Sequence, residues 1–181
     1  MKATGIVRRI DDLGRVVIPK EIRRTMRIRE GDPLEIFTER DGEVIFKKYS
    51  QIGELGNFAA DYAETLSKTS GYAIVITDKD TVISVAGVPK KGLFENKVSD
   101  EVEIVMKNRE NYMLEHPEDR KYKITETNDK YFISICIPII SEGDSIGSVI
   151  FFDPKEVKVM GDVEYKLAIT AANFLGKQME E

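Results

Sequence analysis

The chain has one cysteine, one histidine and no tryptophan in 181 residues. A lone cysteine cannot close a disulfide within the chain. Cys136 lies in the apolar run YFISICIPII, which reads as a buried strand, so a buried structural thiol is expected. His116 stands in the charged stretch LEHPEDR with no second His or Cys near it, which excludes the usual zinc-finger and zinc-hydrolase ligand sets. With no glycine-rich phosphate loop either, neither nucleophilic nor metal-assisted catalysis has its parts, and no cofactor or metal is expected. Long hydrophobic runs are missing too: nothing approaches the roughly 18–20 apolar residues that cross a bilayer, so no membrane is expected as a partner. The start Met1-Lys2-Ala3-Thr4 lacks the apolar core of a signal peptide, and the cytoplasm is the expected location.

What the chain does have is a basic end on an acidic body. Residues 1–29 hold nine Lys or Arg against three Asp or Glu, a local charge of +6 in a chain of net charge −5. Residues 1–48 carry 12 basic and 9 acidic side chains, and the remainder carries 15 and 23, so the two parts stand at +3 and −8. Surface charge reflects partners, and these parts are expected to meet different ones. Arg8, Arg9, Arg15, Arg23, Arg24 and Arg27 surround the apolar run Val16-Val17-Ile18, which must itself be buried. That combination points to a folded DNA-contacting surface rather than a loose basic tail.

Along the chain, Ile6 to Ile10 alternates as a strand, Asp11-Asp12-Leu13-Gly14 signals a turn, and Arg15 to Ile18 resumes an extended run. Pro19 suits the opening of a helix over Lys20 to Arg27, with Ile22 and Met26 on one face and Arg23, Arg24 and Arg27 on the other. Leu34 to Arg40 and Glu43 to Tyr49 form a hairpin about Asp41-Gly42, a dipeptide that tolerates positive φ. At about 48 residues, without disulfide or metal, this part struggles to bury a core alone, which predicts an interlocked dimer.

From Ser50 the pattern becomes helical. Ile52, Leu55, Ala59, Tyr62 and Leu66 step by 3 and 4, consistent with an ordinary core face or a helix-pairing seam, and Gly71 ends the helix. Strands follow at Tyr72 to Thr77 and Thr81 to Ala86, then a helix capped by Ser99 with Val102, Val105 and Met106 inward. A charged, irregular stretch over 112–130 contains an expected strand at Lys121 to Thr125. Two apolar strands, Tyr131 to Ile140 and Ser145 to Asp153, precede a helix over Asp162 to Glu180 with Val163, Leu167, Thr170, Phe174 and Leu175 inward. This order describes an antiparallel sheet flanked by helices, an α+β fold whose two terminal helices pack together beside the sheet and again across a dimer.

The run TGIVRRIDDLGRVVIPKEIRRTMRIREGDPLEIF resembles the swapped-hairpin DNA-binding domain of the AbrB family of bacterial transition-state regulators. The match covers residues 1–49, in the family's order of strand, LGRVVIP turn, Arg-Arg helix and hairpin. PIISEGDSIGSVIFF resembles a GAF domain, where a turn feeds a glycine-containing central strand. The expected organisation is therefore an AbrB-type domain over 1–49, a linker helix over 50–70 and a GAF-like domain over 71–181 that includes the C-terminal helix. This pairing is similar to that in transcription regulators of the developing spore of Firmicutes, and the resemblance implies a regulator of sporulation genes, activator or repressor, on the nucleoid of the forespore.

The resemblance implies double-stranded DNA as partner. Arg8, Arg15, Arg23 and Arg24 stand where the family places its DNA-contacting arginines, and Arg9 occupies a commonly basic position. Met26 replaces a usual leucine, an apolar exchange that leaves the core intact. The resemblance further implies an interleaved homodimer, a homotetramer through paired GAF-like domains, and a small-molecule ligand that no residue identifies. Phe94, Tyr122 and Tyr131 are candidates for a pocket lining or for the core.

Blander readings stand beside these. The arginines could pair with Asp11, Asp12, Glu21 and Glu30 and merely solvate a helix. Asp11 could instead orient Arg15 by an ion pair. An enzyme on a GAF scaffold, such as a sulfoxide reductase, needs two or more exposed cysteines. Swapped-hairpin domains also occur in toxin-binding antitoxins, whose chains usually end in a disordered tail.

Overall fold

The computed structural model describes residues 5–40, 42–50, 52 and 56–180. The expectations placed on Met1 to Thr4, on Asp41 of the Asp-Gly turn and on Leu55 of the helical stripe lie outside the described residues. The chain divides into two compact units, Met1–Tyr49 and Ser50–Glu181.

In the first unit, a turn at Asp11 to Arg15 leads to Pro19, which caps helix α1 (Lys20–Thr25). Pro19 has φ −57°, the angle its ring enforces, and lacks only an N–H that a first helical turn leaves unpaired. After α1 the chain turns at Gly31, whose φ is +85°, into β1 (Leu34–Thr38) and β2 (Val44–Lys48). These pair antiparallel with Leu34 opposite Lys48 and Thr38 opposite Val44, and Gly42 turns between them at φ +81°. Two expectations fail here. Residues 6–10 and 15–18 form no strand, and Val16 and Val17 are exposed rather than buried, with Ile18 half-buried. One six-residue helix and one two-stranded ribbon present too little surface to cover them, and Pro19 is the one buried residue among those described in this unit.

The second unit is built on a five-stranded antiparallel sheet of order β4-β3-β7-β6-β5, comprising β3 (Ala73–Asp78), β4 (Val82–Ala86), β5 (Tyr112–Met113), β6 (Ile135–Ser141) and β7 (Asp144–Phe152). Its strands are apolar on both faces because both faces are covered. Helices α2 (Gly56–Ser70) and α4 (Asp162–Gln178) cover one, burying Ala59, Ala63, Leu66, Ala171, Ala172 and Leu175 with Ile74, Ile137 and Phe151. Helix α3 (Asp100–Asn108) and the irregular segments cover the other, burying Val102, Val105 and Met106 with Val75, Cys136 and Phe152. Ser99 caps α3 as expected, its hydroxyl accepting from the N–H of Val102 at 3.2 Å.

Four details differ from the expectations. Within the segment expected as a linker helix, 50–70, α2 packs Ala59, Ala63 and Leu66 into the core of the second unit. Lys121 to Thr125 forms only single bridges, Val98 with Thr125 and Lys123 with Phe132, while the short β5 takes the sheet edge. β6 begins at Ile135 rather than Tyr131. In α4, Val163, Thr170 and Phe174 face solvent and Leu167 is half-buried, while Ala168, Ala171, Ala172, Leu175 and Gly176 face the sheet. The reason is spacing: a Cβ on Gly176 would lie 2.0 Å from the carbonyl oxygen of Ile140, so the helix comes closest to the sheet there, and small residues fill most of the face beside Leu175.

Candidate nucleic-acid interface

The five arginines expected to contact DNA all lie in the first unit, and all are exposed. Arg8 and Arg9 precede the turn, Arg15 closes it, and Arg23 and Arg24 occupy the last turn of α1, where positive charge complements the helix dipole. Among the described residues, Arg8, Arg9, Arg23 and Arg24 have no ion-pair partner. The acids that could have neutralised them, Asp12, Glu21 and Glu30, hold none of them, and no bond joins any of the five to another.

Arg15 is different. Its Nε donates to Oδ2 of Asp11 at 2.9 Å, and Oδ1 of the same carboxylate accepts from the backbone N–H of Leu13 at 3.0 Å and of Arg15 at 2.7 Å. The N–H of Asp11 donates to the Arg15 carbonyl at 3.1 Å and the N–H of Gly14 to the Asp11 carbonyl at 3.0 Å. Gly14 has φ +75°, a conformation that a Cβ would strain, which is why this turn uses glycine. The two backbone and side-chain bonds from Arg15, with that from Leu13, hold the Asp11 carboxyl below its ordinary value of 3.8. The ion pair that the sequence offered as one reading of Asp11 is present.

A second polar cluster, formed by residues far apart in sequence, holds the turn that follows α1. Lys48 on β2 reaches both the carbonyl of Arg27 and the carboxylate of Asp32, and Asp32 also accepts from the N–H of Arg29. It went unread in the sequence because nothing local links Lys48 to a turn so far upstream.

In the second unit the three candidate pocket aromatics do not share one site. Tyr131 is buried against Phe152 with ring centroids 5.1 Å apart, Tyr122 stacks on Tyr112 at 4.3 Å, and Phe94 is exposed. Burial, then neighbouring Tyr122, pushes the Tyr112 hydroxyl up to about 12. Cys136 is fully buried, and desolvation pushes its thiol up to about 12. Among the described residues, no group of three His, Cys, Asp or Glu is placed to hold a metal ion, and no helix is long and apolar enough to cross a membrane.

Residues 54–180 match the family model described as stage V sporulation protein T C-terminal, transcription factor. The whole chain is also 50% identical, over 182 aligned positions and 100% of both chains, to stage V sporulation protein T of Bacillus subtilis strain 168. The chain belongs to the stage V sporulation protein T family. Its first unit is similar to the transition state regulatory protein AbrB of the same organism, with 61% identity over 49 residues, 27% of this chain and 50% of that one. Residues 7–53 match a model described as antidote-toxin recognition MazE, bacterial antitoxin. The GAF domain from an Acinetobacter phosphoenolpyruvate-protein phosphotransferase superposes with a TM-score of 0.56 at 12% identity, covering 74% of this chain and 84% of that one. That likeness assigns the GAF fold to the second unit of this family member. The chain is thus a sporulation transcription regulator of α+β fold.

Proposed function

We propose that this chain regulates sporulation genes by binding double-stranded DNA as a homo-oligomer, through Arg8, Arg9, Arg15, Arg23 and Arg24 of each copy. The observation that carries the reading is that four of these arginines have no acidic partner among the described residues, so their charge stands available to phosphate. Each guanidinium offers a planar fork that fits a phosphate or a guanine edge.

Two apolar surfaces support the oligomer. In the first unit Val7, Ile10, Leu13, Val16 and Val17 are exposed, more apolar surface than a unit of this size leaves to water, which fits an interleaved dimer. In the second, exposed Phe58 and Phe174 and half-buried Tyr62 form an aromatic trio across α2 and α4, with centroid separations of 6.1, 6.0 and 5.5 Å, which fits pairing of GAF-like domains into a tetramer. In this reading the GAF-like unit assembles the oligomer and senses a small molecule, and the protein acts in the cytoplasm, on the nucleoid of the forespore. In the same reading it is not an enzyme, and the burial of its one cysteine speaks against thiol chemistry in particular. The antitoxin reading rests on the match over residues 7–53 alone, and it requires a protein partner for function.

The test is equilibrium binding to a duplex selected by the wild-type protein from a random pool. Substituting Arg23→Ala and Arg24→Ala together should lower affinity at least about tenfold and flatten the salt dependence by about 0.9 per lost phosphate contact. Unchanged affinity and salt slope would overturn the reading.

A further inference from the structure

The turn holds one arginine in a way it holds no other. Arg15 spends its Nε on Asp11, and among the described residues its two Nη groups make no hydrogen bond, although the side chain is 69% exposed. Asp11 is itself anchored, because Oδ1 takes two backbone N–H groups of the same turn and leaves Oδ2 aimed at the guanidinium. The fork that remains, Nη1 with Nη2, therefore projects from the turn with its plane already chosen.

We propose that Arg15 is the base-reading residue of this surface and that Asp11 is its positioning residue, directing the Nη fork onto O6 and N7 of a guanine in the major groove. The inference rests on the DNA-binding reading above. Three physical points support it. A preset fork suits a base edge, which offers two acceptors in one plane, whereas a phosphate can be met from many directions. Arg8, Arg9, Arg23 and Arg24 carry no such brace, and free rotation suits them to the phosphates that fix position without reading sequence. Lastly, a carboxylate on a surface meant for a polyanion repels every phosphate it approaches. Asp11 lowers affinity for all DNA alike, and its presence is useful only if it raises the ratio of specific to general binding.

Asp11→Asn separates this from a merely structural turn. Its amide oxygen still accepts from Leu13 and Arg15, so the turn is kept, while Nδ2 replaces Oδ2 and offers a donor where Arg15 Nε needs an acceptor. The full chain, the Asp11→Asn variant and the Arg15→Ala variant are to be titrated with the pool-selected duplex, a scrambled duplex, and the selected duplex carrying 7-deazaguanine at each guanine in turn. For wild type, one guanine per half-site should lose about tenfold on removal of N7. In both variants that loss should vanish, discrimination against the scrambled duplex should fall by a similar factor, and the salt slope of Asp11→Asn should stay at the wild-type value. Undiminished discrimination in Asp11→Asn, or a 7-deazaguanine effect that persists in it or in Arg15→Ala, overturns the assignment while leaving DNA binding intact. A wild-type protein that binds no duplex at low salt defeats the DNA-binding reading itself.

Discussion

Nζ of Lys48 lies 3.3 Å from Oδ2 of Asp32 and donates at 2.9 Å to the carbonyl of Arg27, joining β2 to both ends of the turn that follows the basic helix. The Asp32 side chain is 9% exposed. Burial would raise its pKa, but the N–H of Arg29 and the Lys48 ammonium outweigh burial and hold it below 3.8. Lys48→Met takes from that carboxylate the ammonium that bonds it, leaving the charge of Arg29 nearby, and should cost about 1–3 kcal/mol, read as a shift in the urea midpoint of the first unit's unfolding transition. Because the folded pKa is depressed, the Asp32 contribution is complete above 3.8 and is lost as pH falls through the folded value.

The Asp11 carboxyl is expected to titrate below 3.8 by carboxyl NMR. In Arg15→Ala it should move only part of the way back, since the backbone N–H bonds from residues 13 and 15 survive the loss of the guanidinium. Full reversion would mean that the ion pair alone sets the turn.

Gly147 and Gly176 mark the two closest approaches in the second unit, with a Cβ placed 2.1 Å from the Thr77 carbonyl oxygen and 2.0 Å from that of Ile140. Both obstacles are backbone and cannot swing aside. Gly147→Ala and Gly176→Ala should each destabilise by about 3 kcal/mol or more and lower the midpoint of thermal unfolding accordingly.

Cys136 should resist a soluble thiol reagent in the native chain at pH 8 and react fully after unfolding in urea. Its folded thiol is raised from 9.0 to about 12, so neutral-thiol stability is present below 9.0 and is lost as pH climbs between these values. Rapid native-state labelling would contradict its burial.

Phe174→Glu places a charge within the aromatic trio of α2 and α4 and should shift the chain toward smaller species in sedimentation equilibrium. Because Phe174 is 41% exposed, the circular dichroism of the folded unit should stay unchanged. An unaltered mass distribution would remove this trio from the assembly.

What the sequence made legible was what is local. The Ser99 cap, the end of α2 at Gly71, the hairpin about Gly42 and the apolar strands each depend on residues within a few positions of one another. The same holds for the Asp11–Arg15 pair, four residues apart. Helix α4 misled because hydrophobicity nominates Val163 and Phe174 for the inner face, whereas the close approach to β6 at Gly176 leaves that face to Ala168, Ala171, Ala172 and Gly176, with Leu175 as its one large residue. Val16 and Val17 misled in another way: apolar character favours burial, but it does not supply the cover, and the single helix and ribbon of this unit leave both exposed. Lys48 and Asp32 meet through the hairpin's return, and no periodicity encodes that.

The central pair of the sheet sets a timetable for synthesis. β3 is flanked by β4 and β7, and the β3–β7 pairing brings Thr77 against Ser148, 71 positions later, their hydroxyls 2.8 Å apart. A nascent chain can close the β1–β2 ribbon as soon as Lys48 clears the ribosome, yet β3 waits with one apolar edge open until most of the second unit has been made. During that interval the emerging polypeptide already carries the arginines of its first unit, before most of the acidic residues of the second have been made.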